Sequence, residues 1–204
     1  MKLVTPIFAL MLLAATAAAA ADAVQIALRS LCDPGKIATI ESDRGANPRI
    51  RKIAYWLEVA RQEGRQPEAE MAAAMDAIGW GDTLKGQLTA AAMARNRTIA
   101  ERLGCLDDEG MENLRRGKAP TITRGPYAGE KLTVDHIIPR AVAPTLDKVL
   151  ANLELMPHSI NIRKGVKIGQ RQIDLANKLE AAGLLRAADR TAIVERQTPG
   201  YAGE

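Results

Sequence analysis

The stretch from Lys131 to Gly165, KLTVDHIIPRAVAPTLDKVLANLELMPHSINIRKG, leaves the chain few ways to fold. Its β-like run from Lys131 to Ile138 carries Asp135 and His136 near its end. A loop from Pro139 to Ala151 follows, then a second short strand candidate, Asn152 to Met156. Ser159 is placed to cap a helix bearing Asn161, and Gly165 and Gly169 predict its interruption. The expected order is strand, loop, strand, helix. Short elements in that order can gather Asp135, His136, Asn152 and Asn161 around one point.

Those residue types suit phosphodiester hydrolysis. An attacking water must lose a proton, and the charge developing on the phosphate and the leaving oxygen must be offset. Histidine is the side chain best suited to take a proton near neutrality, which assigns His136 the role of general base. Asp135 and Asn161 are hard oxygen donors of the kind Mg²⁺ or Mn²⁺ prefers. One such cation can neutralise phosphate and leaving oxygen together. Asn152 is expected to fix the imidazole by an amide or backbone contact, leaving the attacking nitrogen free. Arg163 and Lys164 follow Asn161 closely enough to reach phosphate oxygens.

The same residues carry a family resemblance. Asp135-His136-Ile137-Ile138-Pro139 is similar to the Asp-His-Ile-Val-Pro signature of the HNH endonucleases, whose ββα-metal fold cuts phosphodiester bonds with one divalent cation. Asn152-Leu153-Glu154-Leu155 is similar to the Asn-Leu-x-x-Leu that opens their second strand. Asn161-x-x-Lys164-Gly165 is similar to their closing Asn-x-x-Lys-Gly. The pattern resembles the His-Asn-Asn variant found in RNA-guided nucleases. There the aspartate and the final asparagine hold the metal, which implies Asp135 and Asn161 as ligands and His136 and Asn152 as catalytic. The chain departs from the family by lacking the Cys pairs that bind a structural zinc. It has two histidines in total, and Gly165 stands where colicin-type members have their last ligand. The resemblance runs from Arg124 to Ile168; the helical region before it resembles no known family.

The rest of the chain bounds the setting. Lys2, the apolar Ile7–Leu13 and the small residues from Ala14 to Ala23 read as a secretory signal over 1–23, with an uncleaved anchor as the alternative. Export to the periplasm or medium is expected, with no stable membrane insertion after cleavage. Cleavage removes Lys2 and Asp22, so the formal charge stays at +4, and the pI of about 9.2 suits a polyanionic partner. Residues 24–118 read as helical. Asn47-Pro48 opens a helix to about Glu63 with Ile50, Ile53, Ala54, Leu57 and Ala60 on one face. Pro67 opens another to Ile78. Thr83–Leu103 is expected to bury Leu84, Leu88, Ala91, Ala92, Ile99 and Leu103. Asp107 or Asp108 is expected to cap a short helix to Arg116. Thr121-Ile122-Thr123 is β-like. Residues 119–196 form the expected nuclease core with C-terminal helices along Gln170–Ala182 and Arg186–Arg196, and 197–204 a loose tail. In an exported chain an even cysteine count suggests a Cys32–Cys105 disulfide, with two buried free thiols as the alternative.

The fold class expected is therefore α+β: a mainly helical N-terminal region, a ββα-metal core and C-terminal helices. The function expected is an exported, metal-dependent endonuclease with weak sequence preference. Its partner is nucleic acid, DNA ahead of RNA, although nothing in the sequence separates the two. Aromatics make up 3% of the chain, too few for a multi-base stacking platform. His158 and Arg124, with Tyr127, are further candidates for substrate contact; a helix-start histidine and a Gly125-Pro126 turn explain them equally. Trp56 reads as packing and Trp80 as a loop anchor. Arg49, Arg51, Lys52, Arg61 and Arg65 read as a solvated face that could form a phosphate track. The alternatives are a catalytically silent nucleic-acid-binding protein and an envelope interaction protein on the same scaffold.

Overall fold

Prolines and short polar caps set the helix boundaries in the first half of the chain. In the computed structural model, which describes residues 23–203, helix α1 covers 23–32. Helix α2 (Pro34–Ala38) is capped by Asp33, whose carboxylate accepts from the Gly35 and Lys36 amides at 2.8 and 3.2 Å. Helices α3 (Asn47–Gln62) and α4 (Pro67–Ala77) each carry proline in the first turn, where a missing N–H costs nothing. Thr83 caps α5 (Leu84–Arg102), and Asp107 caps α6 (Asp108–Arg115). The signal expected over 1–23 lies outside the described residues, apart from Ala23 at the start of α1.

Helix α3 buries the five apolar residues that its period predicts. Each fully buried Ile or Leu contributes roughly 1.5–3 kcal/mol relative to exposure. Helix α5 departs from its expected face. Leu84 is 42% exposed and Ala91 is exposed, while Leu88, Ile99 and Leu103 are half-buried. Of the expected residues Ala92 is buried, and the helix buries Thr89, Met93, Asn96, Arg97 and Ala100 beside it. Two polar side chains belong to that face because each has buried partners. The Asn96 amide donates to Leu153 O at 3.0 Å and accepts from Leu155 N at 2.7 Å. Arg97 pairs with Glu58 on α3 at 2.6 Å and with Glu101 at 2.9 Å. Burial alone would raise the Glu58 carboxyl, but hydrogen bonds from Arg61 and Arg97 outweigh it and hold the pKa below the usual range.

The α+β class holds, with one small antiparallel sheet. Strand β1 (Leu132–His136) pairs with β2 (Leu153–Pro157), setting Asp135 opposite Glu154 and His136 opposite Leu153. Thr121 adds only an isolated bridge to Lys131. Helix α7 (His158–Lys164) follows β2 directly, and Gly165 ends it at φ 55°. Ser159 is not its cap: its amide and hydroxyl bind Glu130 at 2.9 and 2.8 Å. Helices α8 (Gln170–Ala181) and α9 (Ala187–Glu195) complete the fold, α8 burying Ile173, Ala176 and Leu179 as expected. The C-terminal segment is tied down rather than loose. Thr198 N donates to Ile168 O at 2.7 Å, and a Cβ at Gly169 would come within 2.5 Å of Tyr201 O.

One core joins the helical region to the strands. Val24, Ile53, Leu57, Met71 and Met93 pack in the same cluster as Ile122, Leu132, Val134, Leu153 and Leu155. A second cluster unites Ile138, Leu146 and Ile168 with the buried face of α8 and with Ile193. The expected Cys32–Cys105 bridge is not formed, and both are buried free thiols. The Cys105 thiol lies 3.5 Å from Thr121 O, whereas Cys32 lines a small apolar cavity with Ile37, Trp80 and Leu150. Burial pushes both thiols up to about 12. Among the described residues no helix is long and apolar enough to cross a membrane.

Candidate active site

The end of β1 opens into a cleft of roughly 730 Å³ lined by Asp135, His136, His158 and Asn161, together with Arg44, Arg51 and Arg140. Strand alternation would send Asp135 and His136 to opposite faces, yet both line this cleft, as do Thr133 and Val134. Helix α7 packs on both strands and brings Asn161 to the same wall.

His136 is held by the loop between the strands. Its Nε2 is hydrogen-bonded to Asp147 O at 3.1 Å and lies 3.0 Å from Asp147 Oδ1, a buried oxygen that makes no aligned hydrogen bond among the described residues. Both neighbours are acceptors, so the neutral ring keeps its proton on Nε2 and a lone pair on Nδ1. Among the described residues Nδ1 makes no hydrogen bond, so the basic nitrogen is the one left to a ligand. Asp147 is itself buried, and its Oδ2 accepts from Arg44 N at 3.1 Å.

Asn152 does not touch the imidazole, contrary to expectation. It sits in the 3₁₀ turn before β2, wholly buried. Its Oδ1 accepts from Ile138 N at 2.8 Å, and its Nδ2 donates to Ile138 O at 3.0 Å and, more weakly, to Leu146 O at 3.5 Å. Asn152 therefore closes both ends of the loop that carries Asp147, and acts on His136 only through that loop.

Lys164 also departs from its expected role. It is fully buried, with Nζ 2.6 Å from Asp135 Oδ2 and donating to His136 O at 2.7 Å. It anchors the end of β1 from beneath and cannot serve as an exposed phosphate contact. Burial raises the Asp135 carboxyl above its ordinary pKa, and the Lys164 ammonium offsets this only in part. The Lys164 contact lacks hydrogen-bond alignment, leaving Asp135 Oδ2 buried and without a hydrogen bond.

Asn161 donates through Nδ2 to Thr133 Oγ1 at 3.2 Å and to Val134 O at 3.5 Å, and its oxygen accepts no hydrogen bond among the described residues. Asp135 Oδ2 is buried against Lys164, so the other carboxylate oxygen and the Asn161 carbonyl are a sparse pair of hard oxygen donors among the residues lining the cleft. That pair fits a Mg²⁺-like ion, which takes one or two protein oxygens and completes its shell with water and phosphate. Among the described residues no cluster of three or more His, Cys, Asp or Glu side chains is arranged for a metal.

The remaining candidates divide. His158 is exposed at the start of α7 and lines the cleft. Arg163 is exposed and does not line it. Arg124 lies at a separate depression with Glu58, Arg61 and Glu101. Tyr127 packs against the first core. Of the basic positions on the helical region, Arg61 and Arg65 are paired with Glu58 and Glu70, and Arg49 bonds the carbonyls of Ser30 and Leu31. Arg51 alone of that group lines the cleft. Asp147, Arg44 and Arg140 escaped the sequence, because a loop aspartate and scattered arginines acquire meaning only when tertiary packing places them. No family model, curated protein or solved structure matches the chain.

Proposed function

We propose that the chain is an exported, metal-dependent endonuclease of the HNH type, hydrolysing phosphodiester bonds of nucleic acid with weak sequence preference. The observation that carries this reading is the His136 imidazole on a cleft wall, its Nε2 engaged by Asp147 and its Nδ1 free, beside Asp135, Asn161 and three arginines. A water bound between Nδ1 and a substrate phosphorus gives its proton to Nδ1 as it attacks. Asp147 holds the ring in the tautomer that makes this possible and stabilises the imidazolium that results. Asp135 and Asn161 are the residues that would hold a divalent cation. Such an ion supplies charge neutralisation at the phosphate and the leaving oxygen. Lys164 seats Asp135 and favours its ionised form, and Asn152 keeps the Asp147 loop closed.

One observation favours the catalytically silent alternative: Lys164 already neutralises the aspartate that a metal would need. The test is the purified protein with plasmid, linear duplex, single strands and RNA, with and without Mg²⁺ or Mn²⁺. Metal-dependent cutting that falls by about 10²–10⁴-fold in His136→Ala, with the fold kept, supports the hydrolase. Metal-independent or absent cutting by the wild-type protein refutes it.

A further inference from the structure

The cleft wall opposite β1 belongs to the helical region, and it carries polar groups that the fold leaves unsatisfied. Arg51 on α3 has five N–H donors, and its one protein hydrogen bond among the described residues is from Nη1 to Gly117 O at 3.1 Å. Its Nε is buried without a partner. That leaves Nη2, which makes no hydrogen bond among the described residues, as the charged donor Arg51 can offer a phosphate oxygen in the cleft. Among the described residues no carboxylate pairs with Arg51, and burial holds its pKa below the ordinary value, the mark of a cation desolvated without compensation.

One turn earlier on the same face stands Asn47, which also lines the cleft. Its Oδ1 is buried with no partner. Among the described residues no hydrogen bond holds this side-chain amide, so its Nδ2 is free to turn toward the same ligand. Arg44 lies just before α3 in a left-handed backbone conformation, φ 56°, which a side chain other than glycine adopts only at a cost. Its amide is tied to Asp147, the residue that holds His136, while its exposed side chain lines the cleft without an ion pair among the described residues. Most other arginines here are matched to a carboxylate, Arg140 to Asp43 at 2.6 Å among them. The unmatched pair on this wall therefore gives the cleft an excess of positive charge facing Asp135 and Asn161.

We infer that Arg51, Asn47 and Arg44 form a phosphate subsite of the helical region, which grips the nucleic-acid backbone beside the bond presented to His136. The inference rests on the hydrolase reading for its geometry but not for its test. The subsite takes a phosphodiester group, whether of DNA or RNA, because Arg51 and Arg44 offer charge and donors rather than a base-reading set. It gives the helical region a part in substrate binding: α3 supplies one wall of the cleft and β1 and α7 the other.

The experiment is fluorescence anisotropy in EDTA, where no metal-dependent cutting occurs. Labelled 16-base-pair DNA duplex and a 16-nucleotide RNA are titrated with the full protein over a series of salt concentrations. The variants are Arg51→Gln, Arg51→Lys, Arg44→Gln and the control Arg102→Gln, an exposed arginine at the end of α5. Arg51→Gln and Arg44→Gln should each weaken binding about tenfold, the scale of a lost charge-assisted hydrogen bond. Each should also lower the salt slope on duplex by roughly 0.9, one phosphate contact. Arg51→Lys should restore the slope but not the full affinity, since a lysine keeps the charge but lacks the planar guanidinium that bonds Gly117 O and still offers Nη2. Arg102→Gln should bind like the wild type. Equal binding by Arg51→Gln and Arg102→Gln, or no binding of either probe by the wild type, overturns the subsite. Should Arg51→Gln misfold by circular dichroism, Arg51→Lys decides alone: undiminished affinity overturns the proposal and reduced affinity at unchanged slope supports it. A wild-type protein that binds through Arg51 yet never cuts with Mg²⁺ or Mn²⁺ keeps the subsite and refutes the hydrolase.

Discussion

Replacing Asn96 with alanine should unfasten the two-stranded sheet from the helical region. A two-stranded antiparallel sheet is marginal by itself, and here it depends on its packing partner. Asn96 is completely buried on α5 and mimics a strand, giving one hydrogen bond to Leu153 O at 3.0 Å and taking one from Leu155 N at 2.7 Å. Alanine leaves a buried N–H and a buried C=O without partners. Each orphaned group costs about 1–3 kcal/mol, so the pair sets an expectation of roughly 2–6 kcal/mol, a large share of a typical domain's 5–15 kcal/mol. Leucine should be no better, because it fills the space without restoring either bond. The assay is urea unfolding of wild type, Asn96→Ala and Asn96→Leu followed by circular dichroism, with hydrogen exchange read at the Leu155 amide. A midpoint shift worth under about 1 kcal/mol, with the Leu155 amide as protected as before, would show that the sheet does not depend on α5 and would sink the reasoning.

Other outcomes follow from the same structure. Lys164→Met strands Asp135 buried opposite no cation, and should cost about 3–5 kcal/mol near neutral pH. The carboxyl's folded pKa, already raised, rises further, so the loss should shrink as pH falls through that pKa and Asp135 takes up a proton; an equal deficit in urea melts at pH 7 and pH 4 counts against it. Both thiols should resist a thiol reagent in the native protein and react only on unfolding, and non-reducing peptide maps should recover no Cys32–Cys105 link. Unfolded thiols ionise near 9.0 and the folded ones only near about 12, so stability should be intact below pH 9 and decline between pH 9 and 12, a decline that Cys32→Ala reduces. Protein recovered from the cell envelope should lack its first 21 to 23 residues by mass, whereas an intact N-terminus on a soluble cytoplasmic form refutes export.

What the sequence disclosed, and what it hid, divides along local and tertiary physics. Helix starts were legible because Pro48, Pro67, Thr83 and Asp107 act within one turn, and the buried stripe of α3 because its apolar period has a single answer. The face of α5 was not legible. Counting hydrophobic residues cannot foresee that Asn96 will meet an unpaired strand edge or that Arg97 will meet Glu58, and two buried polar contacts outweigh the exposure of Leu84 and Ala91. The candidate site splits in the same way. The spacing of Asp135, His136 and Asn161 marked the residues that share the cleft, because strand, loop and helix lengths limit where those side chains can go. It could not assign roles to their neighbours. Lys164 reads as a surface cation in a basic turn and becomes an internal one only because α7 lies flat on β1. Asn152 reads as a partner of histidine, and its amide is instead consumed by Ile138 at the mouth of the loop. The partner is Asp147, and its own second oxygen is held by the backbone of Arg44, from a segment a hundred residues earlier in the chain. His136 is therefore positioned by the helical region as well as by the loop, so a substitution that shifts the Arg44 turn should disturb the imidazole without touching it.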